Sequence, residues 1–278
     1  MSSFAARLRS GIKVHGPLCL GIDPSTETLL KCGLPDSAEG ALEFGSRLLE
    51  AAEYELAIVK PQAAYFERFG SSGIRALEVL VADARSRQVL VLLDAKRGDI
   101  DTTGEAYAEA FFSPASPLKV DAVTLSPFLG LGALEKAIAF VVRNEGGVFI
   151  VVRSSNPEGE AIQTARRADG RTVAEALCSE ITDLNRGLTT QYPGPIGAVV
   201  GATCHDADTT VAALPVSYVL APGVGAQGAT LDDVRLRMPQ ARGRVLPSVS
   251  RAILANGPGS SDLRTTIREL KERASGLS

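Results

Sequence analysis

Asp94, Lys96 and Asp99 stand directly behind an apolar run in VLVLLDAKRGD. An extended start puts Asp94 and Lys96 on one side, because side chains two apart in a strand share a face. Carboxylates beside an ammonium favour its charged form. Lys96 is therefore expected to be a protonated donor suited to general-acid work rather than a neutral amine for Schiff-base chemistry. Ions at the end of an apolar run must be paired and seldom serve packing, which weighs against a solvated charged turn.

Other apolar runs end in the same manner: LCLGID in Asp23, LAIVK in Lys60, and FIVVRSSN in Ser154, Ser155 and Asn156. A different device lies in YVLAPGVGAQGA, residues 218–229, where Pro222, Gly223, Gly225 and Gly228 make a compact turn. Exposed backbone N–H groups in such a turn suit a phosphate dianion, and Gln227 can add a side-chain amide. Ser250 and Arg251 are expected to open the last helix, whose first amides and guanidinium would complete the phosphate site.

These residues need elements that bring them together. Short apolar runs recur at Leu18–Ile22, Leu56–Val59, Val89–Leu93, Ala122–Leu125, Val148–Val152, Ile196–Val200, Tyr218–Ala221 and Val245–Val249. Continuous rather than alternating apolar character marks strands buried on both faces, as parallel sheets covered by helices require. The intervening segments, such as 38–55 and 73–88, carry apolar residues at three- and four-residue intervals and read as helices. Eight βα units predict an α/β fold, a single (β/α)8 TIM barrel over residues 1–278, with the strand ends on one rim. An open doubly wound sheet is the rival, but no GxGxxG opens a helix after the first strand. The stretch from Arg153 to Arg171 reads as an elaborated loop on the active face.

Bulk properties narrow the class. The chain has 278 residues, 45% of them hydrophobic, enough to bury a core. With 29 basic against 32 acidic residues and a net charge of −3, no basic face for nucleic acid is advertised. No signal peptide or membrane span is evident, so a cytoplasmic protein without a membrane partner is expected. Cys19, Cys32, Cys178 and Cys204 lack CxxC spacing and suit reduced, packed thiols. The two histidines, His15 and His205, supply a histidine-rich metal site poorly.

In order, LGIDPS, VKPQAAYFE, LLDAKRGDIDTT, RSSNPEG, APGVGAQGA and SVSRAIL resemble the orotidine 5'-monophosphate decarboxylase family, in the longer of its two main sequence variants. The resemblance implies a homodimeric barrel with shared active sites. It would convert the nucleotide orotidine 5'-monophosphate to UMP and CO2 in pyrimidine synthesis, with no metal or organic cofactor. It implies that Lys96 protonates C6 of the pyrimidine and that Asp94 lies beside the substrate carboxylate. Asp99 would enter the neighbouring subunit's site, with Ile100 and Thr103 beside it. Asp23 and Lys60 would hold the ribose hydroxyls and extend the charge array. Ser155, or its neighbour Ser154, would read the pyrimidine amide edge, while Gln227 and Arg251 match the phosphate grip, beside the turn of Pro222 and Gly225 that is itself expected to bind phosphate. Arg97 and Gly98 stand where shorter variants carry other residues.

Loss of CO2 from C6 leaves a carbanion that no ring position delocalises well, so a fixed cation must stabilise the charge and supply a proton. Phosphate binding can drive closure of Arg153–Arg171 and Gly223–Gly228 over the site. A Mg2+-dependent sugar-phosphate decarboxylase or aldolase of a related barrel shares the D-x-K-x-x-D string. RSSN, and the lack of an extra acid just before Asp94, disfavour it. A non-catalytic phosphate-ligand sensor is the rival of another class. His205 is expected in a solvated loop, Cys204 in packing, and Tyr65, Phe66 and Phe128 in core or pocket wall.

Overall fold

Every apolar run of the sequence forms a strand: β1 (Cys19–Ile22), β2 (Ile58–Pro61), β3 (Leu90–Arg97), β4 (Ala122–Leu125), β5 (Gly147–Arg153), β6 (Ile196–Val200), β7 (Val219–Ala221) and β8 (Val245–Val249). The computed structural model describes residues 2–52, 55–225 and 228–277. Within them the strands pair in sequence order, all in parallel, and β1 meets β8 to close the barrel. The closing register sets Cys19 against Ser248 and Leu20 against Val249.

Between the strands run α1 (Phe4–His15), α2 (Thr26–Lys31), α3 (Ala38–Ala51), α4 (Ala64–Glu67), α5 (Gly70–Ser86), α6 (Asp101–Phe112), α7 (Glu135–Arg143), α8 (Pro157–Gln163), α9 (Val173–Leu188), α10 (Ala207–Ala212), α11 (Leu231–Arg237) and α12 (Ser260–Ser275). Local chemistry sets several of their starts. Thr172 and Thr230 accept from the amides of Glu175 and Asp233, whose carboxylates accept the cap amides in return. These capping boxes satisfy donors that a helix start leaves open.

The strands bury both faces, as their unbroken apolar character demands. Leu20, Val59, Val91, Leu93, Val123, Ile150 and Val245 belong to the core shared with the helices. Cys19, Ile58, Leu92, Phe149, Leu220 and Leu246 fill the barrel interior. Phe4, Leu8 and Ile12 of α1 join that inner cluster, and Phe4 meets Phe149 edge-on at 6.2 Å.

Three expectations need correction. Arg251 opens only a short 3-10 turn, Arg251–Leu254, and the last long helix starts at Ser260, because Gly257, Pro258 and Gly259 interrupt the chain between them. The Arg153–Arg171 segment is not a plain loop: Arg153 belongs to β5, and Pro157 at the first helical position starts α8. The helix expected over 38–55 ends at Ala51, and Glu53 and Tyr54 lie outside the described residues.

Candidate active site

The C-terminal ends of the strands enclose a cavity of about 530 Å³, lined by Asp23, Lys60, Asp94 and Lys96 at the β1, β2 and β3 ends and by Pro222, Gly223 and Arg251 after β7 and β8, which closes onto β1. Ser154, Ser155 and Asn156 form a third wall. Asp23 follows β1 and Lys60 lies in β2, while Asp94 and Lys96 both belong to β3. Four charged side chains from three strands thus meet because a parallel barrel sends every strand end to the same rim.

Asp94 is the hub. Its Oδ1 accepts from Lys96 Nζ at 2.6 Å and from the Thr124 hydroxyl at 2.8 Å. Its Oδ2 accepts from Gln62 Nε2 at 2.9 Å and from Lys60 Nζ at 3.2 Å. Burial pushes the Asp94 carboxyl up, but Lys60, Lys96 and the hydrogen bonds outweigh it and hold it at about 2. Lys60 is the converse case. Burial alone would lower it, yet the carboxylates of Asp23 and Asp94 hold its ammonium above the ordinary range. The array alternates in sign, Asp23, Lys60, Asp94, Lys96, with Lys60 also 3.8 Å from Asp23. Lys60 is 5% exposed, whereas the Lys96 side chain is 51% exposed and lines the cavity, so Lys96 is the cation of the array that a ligand can meet.

The same-face placement of Asp94 and Lys96 holds, but not through regular strand geometry. Register slips between Leu93 and Arg97, and Lys96 takes φ +46°, a left-handed conformation that costs a non-glycine residue roughly 1 kcal/mol or more. The Lys96 amide donates to Thr124 Oγ1 at 3.0 Å, so Thr124 holds both the backbone of Lys96 and the carboxylate that Lys96 pairs with.

Thr124 and Gln62 escaped the reading of the sequence. Thr124 has a visible signal, a hydroxyl alone among apolar residues in AVTL that is fully buried. Gln62 stands two residues beyond Lys60 and therefore on its side of the extended chain.

Ser154 and Ser155 both line the cavity, but Ser154 is occupied locally. Its hydroxyl donates to Asn156 Oδ1 at 2.7 Å and accepts from Gln163 Nε2 at 2.8 Å. Ser155 packs against Gly201, where a Cβ would lie 2.8 Å from the Ser155 amide nitrogen, so only glycine admits this approach.

The glycine-rich turn after β7 is built from Gly223, Gly225 and Gly228, all at positive φ. Its amides are largely turned inward: Gly225 N donates to Ala229 O at 2.7 Å, Gly228 N to Gly225 O at 3.1 Å and Ala229 N to Gly223 O at 3.3 Å. Gly225 does not line the cavity, and Gln227 lies outside the described residues. Arg251 is exposed at the cavity mouth.

Asp99, Ile100 and Thr103 do not line this cavity. Asp99 accepts from the Ile100 amide at 2.8 Å, and Ile100 is 54% exposed. His205 is exposed, 3.9 Å from Glu160, and Cys204 is buried. Tyr65 lines the cavity and Phe66 is core, but Phe128 is 79% exposed, so the expectation of core or pocket wall fails for it.

The comparisons converge with this geometry. Residues 16–265 match the family described as Orotidine 5'-phosphate decarboxylase / HUMPS family. An orotidine 5'-phosphate decarboxylase of Salinispora arenicola is 48% identical over 264 residues, 95% of this chain and 94% of that protein. One from Myxococcus xanthus is 42% identical over 265 residues, 95% and 92% of the two chains. Among solved structures, a Streptomyces avermitilis chain superposes with TM-score 0.92 at 41% identity, covering 100% of this chain and 97% of that one. Leishmania donovani OMP decarboxylase gives TM-score 0.81 at 30% identity, with 99% and 98% covered. Likeness of sequence and of barrel covers about nine-tenths or more of the chains compared, and on that footing the chain belongs to the orotidine 5'-phosphate decarboxylase / HUMPS family.

Proposed function

We propose that this protein decarboxylates orotidine 5'-monophosphate to UMP and CO2 in pyrimidine biosynthesis, as a single catalytic domain over residues 1–278, and works in the cytoplasm. The observation that carries the reading is the Asp23–Lys60–Asp94–Lys96 array, with one exposed cation, opening into a nucleotide-sized cavity that Arg251 also lines.

In this reading the substrate phosphate meets Arg251 and Pro222, at the start of the turn that carries Gln227, while Gly225, outside the cavity lining, shapes that turn. The pyrimidine edge meets Ser155, which lines the cavity. Asp23 lines the cavity with its side chain 24% exposed, so its carboxylate is placed to accept from a ribose hydroxyl. Lys60 stays charged and, with Gln62 and Thr124, fixes Asp94 beside the departing carboxylate. As the C6–CO2 bond breaks, its electron pair remains on C6, and the Lys96 ammonium stabilises that charge and transfers its proton there.

Asp99, Ile100 and Thr103 are assigned to the site of a second subunit in a homodimer. Support comes from their position outside the cavity of their own chain and from the exposed apolar residues nearby. Ile100 follows β3, and Phe128 and Leu129, at 79% and 53% exposure, follow β4. The β3 and β4 ends are joined by the Ser126 N to Arg97 O bond at 2.8 Å.

Orotidine 5'-monophosphate turnover in excess EDTA tests the function directly. The unaltered protein should release CO2, and Lys96→Ala should lose activity by at least about a thousandfold while still binding UMP. Metal-dependent activity on a sugar phosphate with none on orotidine 5'-monophosphate would sink the reading.

A further inference from the structure

The last residue of β5 does something that strand parity alone does not provide. Phe149 and Val151 face the barrel interior, so an unbroken strand would send Arg153 inward as well. Register slips between Val151 and Arg153, which pairs with Val200, and Arg153 does not line the cavity. A bulge of this kind re-aims a side chain. Arg153 is left 2% exposed in the body of the protein, where a guanidinium persists only if its donors are met.

Those donors go to the Ser154 carbonyl, 3.4 Å from Nη1, and to two separate elements. Arg153 Nε lies 3.1 Å from both carboxylate oxygens of Asp206, at the start of α10. Nη1 donates to Gln163 Oε1 at 3.3 Å, and Nη2 lies 3.7 Å from Glu160. Gln163 and Glu160 both belong to α8, the helix over the cavity wall. Gln163 then completes the circuit: its Oε1 accepts from the Ser154 amide at 2.9 Å and its Nε2 donates to the Ser154 hydroxyl. The peptide that carries Ser155 is held between this web and Gly201, whose own amide donates to Arg153 O at 2.7 Å.

We infer that Arg153 is a positioning residue for the reaction: it locks α8 to the α10 start and so sets Ser155 at the cavity wall for contact with the pyrimidine. The inference rests on the functional reading above, in which Ser155 meets the base. Arg153 itself touches no substrate and acts through Gln163 and the Ser154–Ser155 peptide. A lysine in its place keeps the charge but not the planar fork that engages Asp206 and Gln163 together.

Purified full-length Arg153→Lys should lose roughly tenfold to a hundredfold in kcat/KM for orotidine 5'-monophosphate. The diagnostic is selective: inhibition by UMP should weaken about tenfold while inhibition by ribose 5-phosphate, which lacks the base, stays unchanged. In a Ser155→Ala background the same change should add no further loss, as two residues acting in one chain require. If Arg153→Lys does not fold, Gln163→Ala on half-exposed α8 breaks the chain from its other end and should give the same pattern. Equal weakening of UMP and ribose 5-phosphate, or additive losses with Ser155→Ala, would overturn the proposal. Failure of the unaltered protein to turn over orotidine 5'-monophosphate would instead overturn the functional reading, and this proposal with it.

Discussion

Asp94 holds opposed effects of similar size, and the balance is visible in its surroundings. An ordinary aspartate titrates at 3.8; in the folded protein burial raises Asp94 but two ammonium groups and the Thr124 hydroxyl bring it to about 2. A depressed carboxyl contributes stability that is present above its unfolded value and lost as pH falls through the folded one. The window is therefore about pH 4 down to about pH 2, and the contribution is about 2 kcal/mol. Lys60 has the reverse sign. Its stabilisation is complete below the unfolded value of 10.5 and is lost as pH rises through its raised folded value. Between those windows neither group changes charge, so kcat/KM should show no inflection from Asp94 or Lys60 from about pH 4 to about pH 10. Urea unfolding of the unaltered protein and of Asp94→Asn across pH 2 to 7 checks this: the acid-side slope should shrink in the variant, and an unchanged slope would remove Asp94 as its source. The pairing of Asp94 with Lys96 was readable from two-residue spacing. The left-handed Lys96 backbone was not, since no residue type announces φ +46° where glycine is absent.

The strands were legible because they are buried on both faces, so each shows as an unbroken apolar run with chemistry at its end. Irregularities inside strands were not, because a bulge changes where a side chain points without changing its composition. The slips in β3 and β5 decide the orientation of Lys96 and Arg153, and both fall at the strand ends that build the cavity. The glycine-rich turn was likewise located by its glycines, but which amides turn inward depends on contacts across the loop, Gly225 to Ala229 above all. β4 offers the sharpest test at this scale. Thr124→Val keeps shape and strand propensity but removes the acceptor for the Lys96 amide and a donor to Asp94. Loss of these buried bonds should cost about 1–3 kcal/mol in transition-state stabilisation, a fall in kcat of roughly tenfold to a hundredfold, with Thr124→Ser close to the unaltered enzyme. A Thr124→Val enzyme with full kcat would mean that Lys96 holds its place without this hydroxyl.

At the scale of the molecule, a single barrel holds the charge array, while the second acid of the D-x-K-x-x-D string, Asp99, does not line its cavity. Sequence spacing placed Asp94, Lys96 and Asp99 within six residues, and it could not say that the chain turns between them. Gly98 makes that turn possible: a Cβ there would sit 2.4 Å from Ser126 O, so the β3 end presses against the β4 end and Asp99 is carried past the cavity rim. If Asp99 serves a neighbouring subunit, Lys96→Ala and Asp99→Ala homodimers are each inactive for opposite reasons. Mixing them allows hybrid dimers in which one site carries both substitutions and the other carries neither. Random exchange at equal amounts makes half of the dimers hybrid, and one of the two sites in each is intact, so recovery should approach about one quarter of the unaltered activity. Subunit exchange is verified first, by mass-tagged protomers, and the recovered activity should scale with the hybrid fraction. Exchange without recovered activity would assign Asp99 to its own chain, and would require the loop after β3 to swing Asp99 back over the cavity when substrate binds.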